Sequence, residues 1–173
     1  GLAKVIAGQG KSTVVDNFAE VLLKDSTALD SSIAGLKTNP ELLPFDPQQE
    51  PTGIFVTGAT GFLGAFLTFE LLRETSATIY CLVRAKTESE GLKRILDTFI
   101  KYKIAHDVTT HEFESRVVPI VGDLARPYFD LSQQRFNELA TLCQCIIHCG
   151  AFVNFGYPYS SLKNANVDGT ISA

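Results

Sequence analysis

Apolar and polar residues alternate in blocks along residues 53–173, and these blocks predict strands followed by helices. Continuous apolar runs are typical of buried parallel strands, and four are present, at residues 53–56, 78–83, 117–121 and 145–149. Apolar residues at helical spacing follow the first two runs: Phe62, Leu63, Phe66, Leu67 and Leu71, then Leu92, Ile95, Leu96, Phe99 and Ile100. This order predicts an α/β fold in which a doubly wound parallel sheet carries helices on both faces.

The first fifty residues have a different pattern. One short amphipathic helix is predicted at residues 17–24, with three apolar residues on one face: Phe18, Val21 and Leu22. Four of the seven prolines then occur close together, which is typical of a linker: Pro40, Pro44, Pro47 and Pro51. We therefore expect a linker arm with a short helix at residues 1–50, followed by a sheet-forming domain at residues 51–173.

The C-terminal pattern predicts a helix that has no stop signal. Residues 161–170 continue a helical pattern to Ala173. A complete doubly wound dinucleotide fold has about six strands, whereas the apolar runs predict four. We therefore expect a truncated domain with an open sheet edge, which could pair with another copy of the chain.

Composition and charge narrow the classes of partner. The net charge of −4 argues against nucleic acid or an anionic membrane as a general partner. No apolar run approaches the roughly 20 residues that a membrane span needs. The four cysteines lie in or beside apolar runs, so we expect buried thiols and a cytoplasmic location. Zinc is the alternative for Cys143, Cys145 and Cys149, although their spacing departs from the usual one.

Three glycines lie between the first predicted strand and its helix. Gly58 permits a tight turn, Gly61 allows close approach to a pyrophosphate, and Gly64 allows the helix to pack closely on the sheet. Phosphates bind at such a helix N-terminus, so the segment predicts a Rossmann-type dinucleotide site. The expected cofactor contacts in this segment are Thr57, Gly58, Thr60, Gly61, Phe62, Leu63 and Gly64.

Cations occupy the position that selects between the two nicotinamide cofactors. Arg84 follows the second strand, where a cofactor without a 2′-phosphate would favour an acidic residue. Arg84, with Lys86 nearby and Arg94 on the next helix, could bind a 2′-phosphate through its guanidinium. We therefore predict NADPH rather than NADH. The alternative is that Arg84 is a solvated surface arginine.

Two further segments reach the same edge of the predicted sheet. Asp123 and Leu124 follow the third strand, where Asp123 could accept from an adenine amino group and Leu124 could pack on the ring. Alternatively, Asp123 caps a turn. Gly150 and Ala151 follow the fourth strand, and their small size leaves room for a sugar and nicotinamide.

The sequence supplies no assignable catalytic residue. His148 ends an apolar strand without a partner at triad spacing, so we interpret it as a packed histidine. Tyr159 and Lys163 have the Tyr-x3-Lys spacing of short-chain reductases, but this pairing also arises readily by chance.

Taken together, these motifs resemble the extended short-chain dehydrogenase/reductase superfamily. Within it they resemble the NADPH-dependent thioester reductase domains of nonribosomal peptide synthetases, carboxylic acid reductases and aminoadipate reductases. The resemblance covers residues 53–173 and rests on five segments: 56–64, 81–85, 122–124, 147–151 and 166–170. Cys149 departs from the Asn that relatives often carry. The family's Tyr-x3-Lys follows the Asn-Val-x-Gly-Thr segment, so Tyr159 and Lys163, which precede Asn166, do not match it.

The resemblance implies a substrate and a partner. The substrate would be an acyl or peptidyl thioester on the phosphopantetheine of an upstream carrier domain, reduced by NADPH to an aldehyde and in some members to an alcohol. Residues 53–173 alone would not turn over, because the family's catalytic pair lies further along the chain. Two rival functions are an epimerase or dehydratase acting on a nucleotide sugar, and a non-catalytic NADP-sensing module.

Overall fold

The computed structural model describes residues 20–27, 31, 49–105 and 109–173. The chain divides into two compact units, Gly1–Leu42 and Leu43–Ala173. In the first unit, residues 20–27 are helical and overlap the helix predicted at residues 17–24. Val21 is half-buried and Leu22 is exposed, whereas Phe18 and three of the linker prolines lie outside the described residues.

The second unit contains a four-stranded parallel sheet. Its strands are β1, Gly53–Thr57; β2, Thr78–Val83; β3, Val117–Val121; and β4, Cys145–His148. All three pairings are parallel, and the strand order is β3-β2-β1-β4. The predicted α/β class, the four strands and the parallel sheet are therefore confirmed. The chain leaves β1 towards β2 on one side and returns to β4 on the other, which opens a crevice at the carboxyl ends of β1 and β4.

Helices and short helical turns connect the strands. They are α1, Phe62–Glu74; α2, Glu88–Tyr102; α3, Thr110–Arg116; a 3-10 turn, Pro127–Asp130; α4, Gln133–Leu142; α5, Tyr159–Lys163; a π turn, Asn164–Asp168; and α6, Gly169–Ser172. The sequence pattern did not predict α3 or the 3-10 turn. In the described part of the chain, no helix combines the length and the apolar character needed to cross a membrane.

Each face of the sheet carries its own apolar core, because successive strand residues point to opposite faces. On one face Ile54, Val56 and Ile79 pack with α1 and α2 through Phe69 and Phe99. The opposite face carries a smaller cluster that α4 and the 3-10 turn cover: Phe55, Leu82, Ile120, Phe129 and Leu139. Helices cover both faces, as a doubly wound sheet requires.

The buried face of α1 is not the one that its large apolar residues predict. Its buried residues are Gly64, Ala65, Thr68, Phe69 and Leu72. Phe62 and Leu63 are instead 66% and 60% exposed. Small residues face the sheet at the start of α1 because the helix axis lies close to the strand there, which excludes larger side chains.

The side chain of Arg116 joins β3 to the end of α1. Its guanidinium donates to the backbone oxygens of Leu72 at 2.7 Å, Thr75 at 2.5 Å and Ala77 at 3.1 Å. It also pairs with Glu112 at 2.8 Å. Arg116 thus satisfies carbonyls at the C-terminus of α1 that lack partners within the helix.

Candidate functional site

The segment between β1 and α1, residues 57–64, is termed the glycine loop here. Gly58 has a φ of +76°, a conformation that L side chains rarely adopt. A Cβ on Gly58 would also lie 2.7 Å from Cys149 C and from Gly150 N. The amide of Gly61 donates to Gly58 O at 2.8 Å and closes the turn. The glycine loop therefore turns sharply while it lies directly against the chain that follows β4.

The other two glycines of the loop have different surroundings. A Cβ on Gly64 would lie 2.1 Å from Gly58 O, so α1 packs on the loop backbone itself. A Cβ on Gly61 would meet Gly58 O alone, at 3.2 Å. Gly61 is the N-cap of α1; no side chain caps this end of the helix, and its first turn contains no acidic residue. The first amides of α1 and the positive end of its dipole therefore form a favourable site for an anion.

A cavity of about 530 Å³ opens at the carboxyl edge of the sheet. Nine of the thirteen predicted site residues line it: Gly58, Thr60, Gly61, Arg84, Arg94, Asp123, Leu124, Gly150 and Ala151. The structure thus brings together residues from the glycine loop, from the ends of β2, β3 and β4, and from α2. Sequence analysis missed Phe152, Ser161, Asn164 and Ala165, which also line the cavity. The helical spacing of the last three was the signal that could have identified them.

Four predicted residues do not line the cavity. The buried Thr57 hydroxyl contacts His148 Nδ1 at 2.8 Å and Gly150 N at 3.0 Å. Phe62 packs its ring on Phe66 and Tyr102, on the outside of the molecule. Leu63 is exposed and Gly64 is buried beneath the loop. Phe62, Leu63 and Gly64 lie in the first turn of α1, so any ligand contact from them would come from backbone amides.

Two guanidinium groups lie at one side of the cavity. Arg84 directly follows β2, and Arg94 donates from Nη1 to the backbone oxygen of Arg84. This proximity follows from the close packing of α2, because a Cβ on Gly91 would lie 2.8 Å from Val83 Cγ1. Among the described residues, no carboxylate forms an ion pair with either arginine. Both positive charges are therefore available to an anionic ligand.

Asp123 combines the two roles that the sequence allowed. Its Oδ1 accepts from the amide of Ala125 at 2.9 Å and so caps a turn, while the residue also lines the cavity. The amide of Asp123 donates to Phe129 O at 2.9 Å. Phe129 is buried and stacks on Phe55 with ring centroids 5.6 Å apart. This packing holds the 3-10 turn in place although Tyr128, Phe129 and Asp130 all have positive φ.

The segment that follows β4, residues 149–152, is termed the post-β4 segment here, and all of its residues line the cavity. Burial raises the pKa of the Cys149 thiol above its ordinary value. The thiol is therefore protonated at neutral pH and is a weak nucleophile. His148, directly before this segment, is half-buried and contacts the hydroxyls of Thr57 and Thr170.

Tyr159 and Lys163 do not belong to the cavity lining. Lys163 pairs with Asp168 at 3.0 Å across the π turn. This placement gives no reason to assign the pair to catalysis, in agreement with the motif order. In the part of the chain that the structure describes, no three His, Cys, Asp or Glu residues come together as potential metal ligands.

Comparison with known proteins agrees with this geometry. Residues 56–173 match the family model NAD_binding_4, which is described as Male sterility protein. A linear gramicidin synthase of Brevibacillus parabrevis is 44% identical over 175 residues. That alignment covers 98% of this chain but 3% of the relative, so this chain spans a small part of that protein's length.

Two solved structures have the same fold. The terminal R domain from the myxalamid PKS-NRPS biosynthetic pathway is 41% identical with a TM-score of 0.71, over 84% of this chain and 37% of that one. A thiolation-reductase di-domain from an archaeal non-ribosomal peptide synthetase is 28% identical with a TM-score of 0.58, over 71% of this chain and 31% of that one. Both likenesses confirm the predicted Rossmann-type fold.

Proposed function

The chain belongs to the NAD_binding_4 family, and from this premise we propose that it is the NADPH-binding part of a thioester reductase. The family supports a nicotinamide cofactor. The proposed parent reaction releases an acyl or peptidyl group from a carrier domain as an aldehyde, or further as an alcohol. The cofactor, when bound, supplies the hydride for this reduction.

One observation carries the proposal: one cavity joins an anion-binding helix end to two guanidinium groups. The uncapped start of α1 and the bare backbone at Gly61 fit a pyrophosphate, which needs amide donors and close approach. Arg84 and Arg94 lie at another side of the same cavity. A dinucleotide with a further phosphate on its ribose is a ligand whose phosphates fit both sides of such a site.

The same two arginines favour NADPH over NADH. A 2′-phosphate offers three oxygens to guanidinium donors, and charge-assisted hydrogen bonds of this kind are stronger than neutral ones. NADH carries only hydroxyls at that position and offers the two positive charges no anionic partner there. Arg94 donates to the backbone oxygen of Arg84, so it also holds the strand end from which the Arg84 side chain extends.

Carrier-bound substrate is proposed from the similar proteins. One is a linear gramicidin synthase, and one is a di-domain that combines a thiolation domain with a reductase. We therefore propose an upstream carrier protein, with its acyl group on phosphopantetheine, as the partner of the parent protein. All four cysteines are free thiols, as a reducing compartment would keep them, so we propose a cytoplasmic location.

Titration of the chain with NADPH and NADH tests the cofactor preference. Arg84→Ala should weaken NADPH binding by about 1.5 to 3 kcal/mol, as expected for charge-assisted hydrogen bonds, and should barely change NADH binding. Arg135→Ala is a matched control, because Arg135 lies on α4 and pairs with Glu138 away from the cavity. Equal weakening of both cofactors by Arg84→Ala would contradict the 2′-phosphate role.

The rival functions predict other outcomes. An epimerase or dehydratase of the same superfamily would prefer NAD over NADPH, against the expectation from Arg84. A non-catalytic sensing module would bind NADPH, but its parent sequence would contain no Tyr-x3-Lys after the Asn166 segment. Reading the parent gene for this pair, and for an upstream carrier domain, separates the enzyme from the sensor.

A further inference from the structure

The imidazole of His148 lies between two hydroxyl groups from different parts of the fold. Its Nδ1 lies 2.8 Å from Thr57 Oγ1, and its Nε2 lies 3.2 Å from Thr170 Oγ1. Thr57 and His148 are paired residues at the ends of β1 and β4. Thr170 lies in α6. The side chain therefore bridges the sheet and the last helix.

The other partners of these hydroxyls determine where the protons lie. Thr170 donates to the backbone oxygen of Asn166 at 2.7 Å, so its oxygen accepts from the Nε2–H of His148. Nδ1 of the neutral ring is then bare and accepts from the Thr57 hydroxyl. The Thr57 oxygen in turn accepts from the amide of Gly150 at 3.0 Å. The neutral Nε2–H tautomer satisfies every bond in this series.

Both ends of the series reach the post-β4 segment. At one end, Gly150 donates to Thr57. At the other end, the Asn166 side chain forms two bonds with the backbone of Phe152: it accepts from Phe152 N at 2.7 Å and donates to Phe152 O at 3.0 Å. Gly150 and Phe152 both line the cavity. The series thus forms a closed ring that holds the post-β4 segment at two points, with His148 in its middle.

We propose that His148 is a positioning residue of the cofactor site, which holds the post-β4 segment beside the glycine loop through Thr57 and Thr170. The proposal rests on the proposed function, since it makes this segment one side of an NADPH pocket. Packing alone does not require the two hydroxyl partners. They give His148 a role that Leu or Phe could not fill.

Two readouts on the 173-residue chain test this role. The first is the NADPH dissociation constant, and the second is hydrogen exchange at the amides of Gly150 and Phe152. In His148→Leu we expect the dissociation constant to rise about tenfold, the size of one or two lost hydrogen bonds. We also expect faster exchange at both amides. His111→Leu is the matched control, because His111 is exposed on α3 and should leave both readouts unchanged.

Variants of Thr170 test the same ring at an exposed position, where folding is tolerant of change. Thr170→Val should speed exchange at Phe152 and weaken NADPH binding, while Thr170→Ser keeps the hydroxyl and should restore both. The His148→Leu/Thr170→Val double variant should be no worse than His148→Leu, because the two side chains act through one bond. Additive losses would overturn the proposal, as would native exchange and native NADPH affinity in His148→Leu.

The two proposals fail in different ways. If the native chain binds no NADPH, the proposed function fails, and hydrogen exchange alone then decides whether His148 holds the segment. If NADPH binds but exchange at Gly150 and Phe152 does not respond to His148→Leu, the positioning role is wrong and the cofactor site stands.

Discussion

The glycine loop and the post-β4 segment lie side by side at the cavity, yet different forces hold them. The glycine loop is held by backbone contact, since Cβ atoms on Gly58 or Gly64 would overlap neighbouring main chain. The post-β4 segment is held by side-chain hydrogen bonds from Thr57 and Asn166. Substitutions should therefore affect the first region through steric overlap and the second through lost polar partners.

The largest effect is expected where backbone contact leaves no space. Gly64→Ala places a Cβ 2.1 Å from Gly58 O, and backbone cannot yield as a flexible side chain can. We expect the free energy of unfolding to fall by about 3 kcal/mol, measured by urea denaturation. Gly156→Ala is the control, because the nearest atom to its Cβ would be Asn154 Oδ1 at 3.6 Å. Equal stability of the two variants would mean that α1 does not pack on the loop.

The same contrast explains what the sequence could predict. Apolar runs and glycine spacing predicted the four strands and the glycine loop because both depend on neighbours along the chain. The turn at Tyr128–Asp130 escaped prediction, since its positive φ values depend on Phe129 being buried against Phe55. The cavity contribution of Ser161 and Asn164 was missed as well, because it arises only when the last helix packs back on the sheet.

The sequence predicted individual residue roles less well than their neighbourhood. Nine of thirteen predicted residues line the cavity, but Thr57 faces His148 instead. Periodicity placed His148 correctly in a strand and gave no sign of its two hydroxyl partners. Those partners lie 91 and 22 residues away in sequence, beyond what local patterns report.

The second largest effect is expected at the point where the two regions meet. Thr57→Val removes the hydroxyl shared by His148 and Gly150 while keeping the side-chain shape. The Gly150 amide and His148 Nδ1 would lose their partner, and we expect a loss of about 1 to 3 kcal/mol in unfolding free energy. Thr57→Ser keeps the hydroxyl and should retain most of the stability. If Val and Ser behave alike, side-chain hydrogen bonds do not hold the post-β4 segment.

Gly61→Ala separates binding from folding within the glycine loop. Its Cβ would meet Gly58 O at 3.2 Å, and its φ is −89°, so the fold should tolerate Ala with little change in stability. The methyl group would stand where the pyrophosphate approaches, so NADPH affinity should fall about tenfold, or about 1.4 kcal/mol. Native affinity with native stability would place the phosphates elsewhere in the cavity.

The smallest effect is expected from acidification, which acts on the post-β4 segment alone. Burial lowers the pKa of His148 below its ordinary value of 6.5, so the unfolded chain binds a proton there more readily than the folded chain. The stability from neutral His148 is therefore fully present above pH 6.5 and is lost as the pH falls through the folded-state pKa. The protonated ring would also be unable to accept the Thr57 hydroxyl at Nδ1.

Urea denaturation at about pH 7.5 and about pH 5.5 measures this contribution, because histidine titrates between these values. The native chain should lose more stability over this interval than His148→Gln, which cannot titrate. The difference should be smaller than the effect of Thr57→Val, since a half-buried imidazole is still partly solvated in its charged form. Parallel losses in the two proteins would assign the pH dependence to other groups, and hydrogen bonding by neutral His148 would then not stabilise the fold.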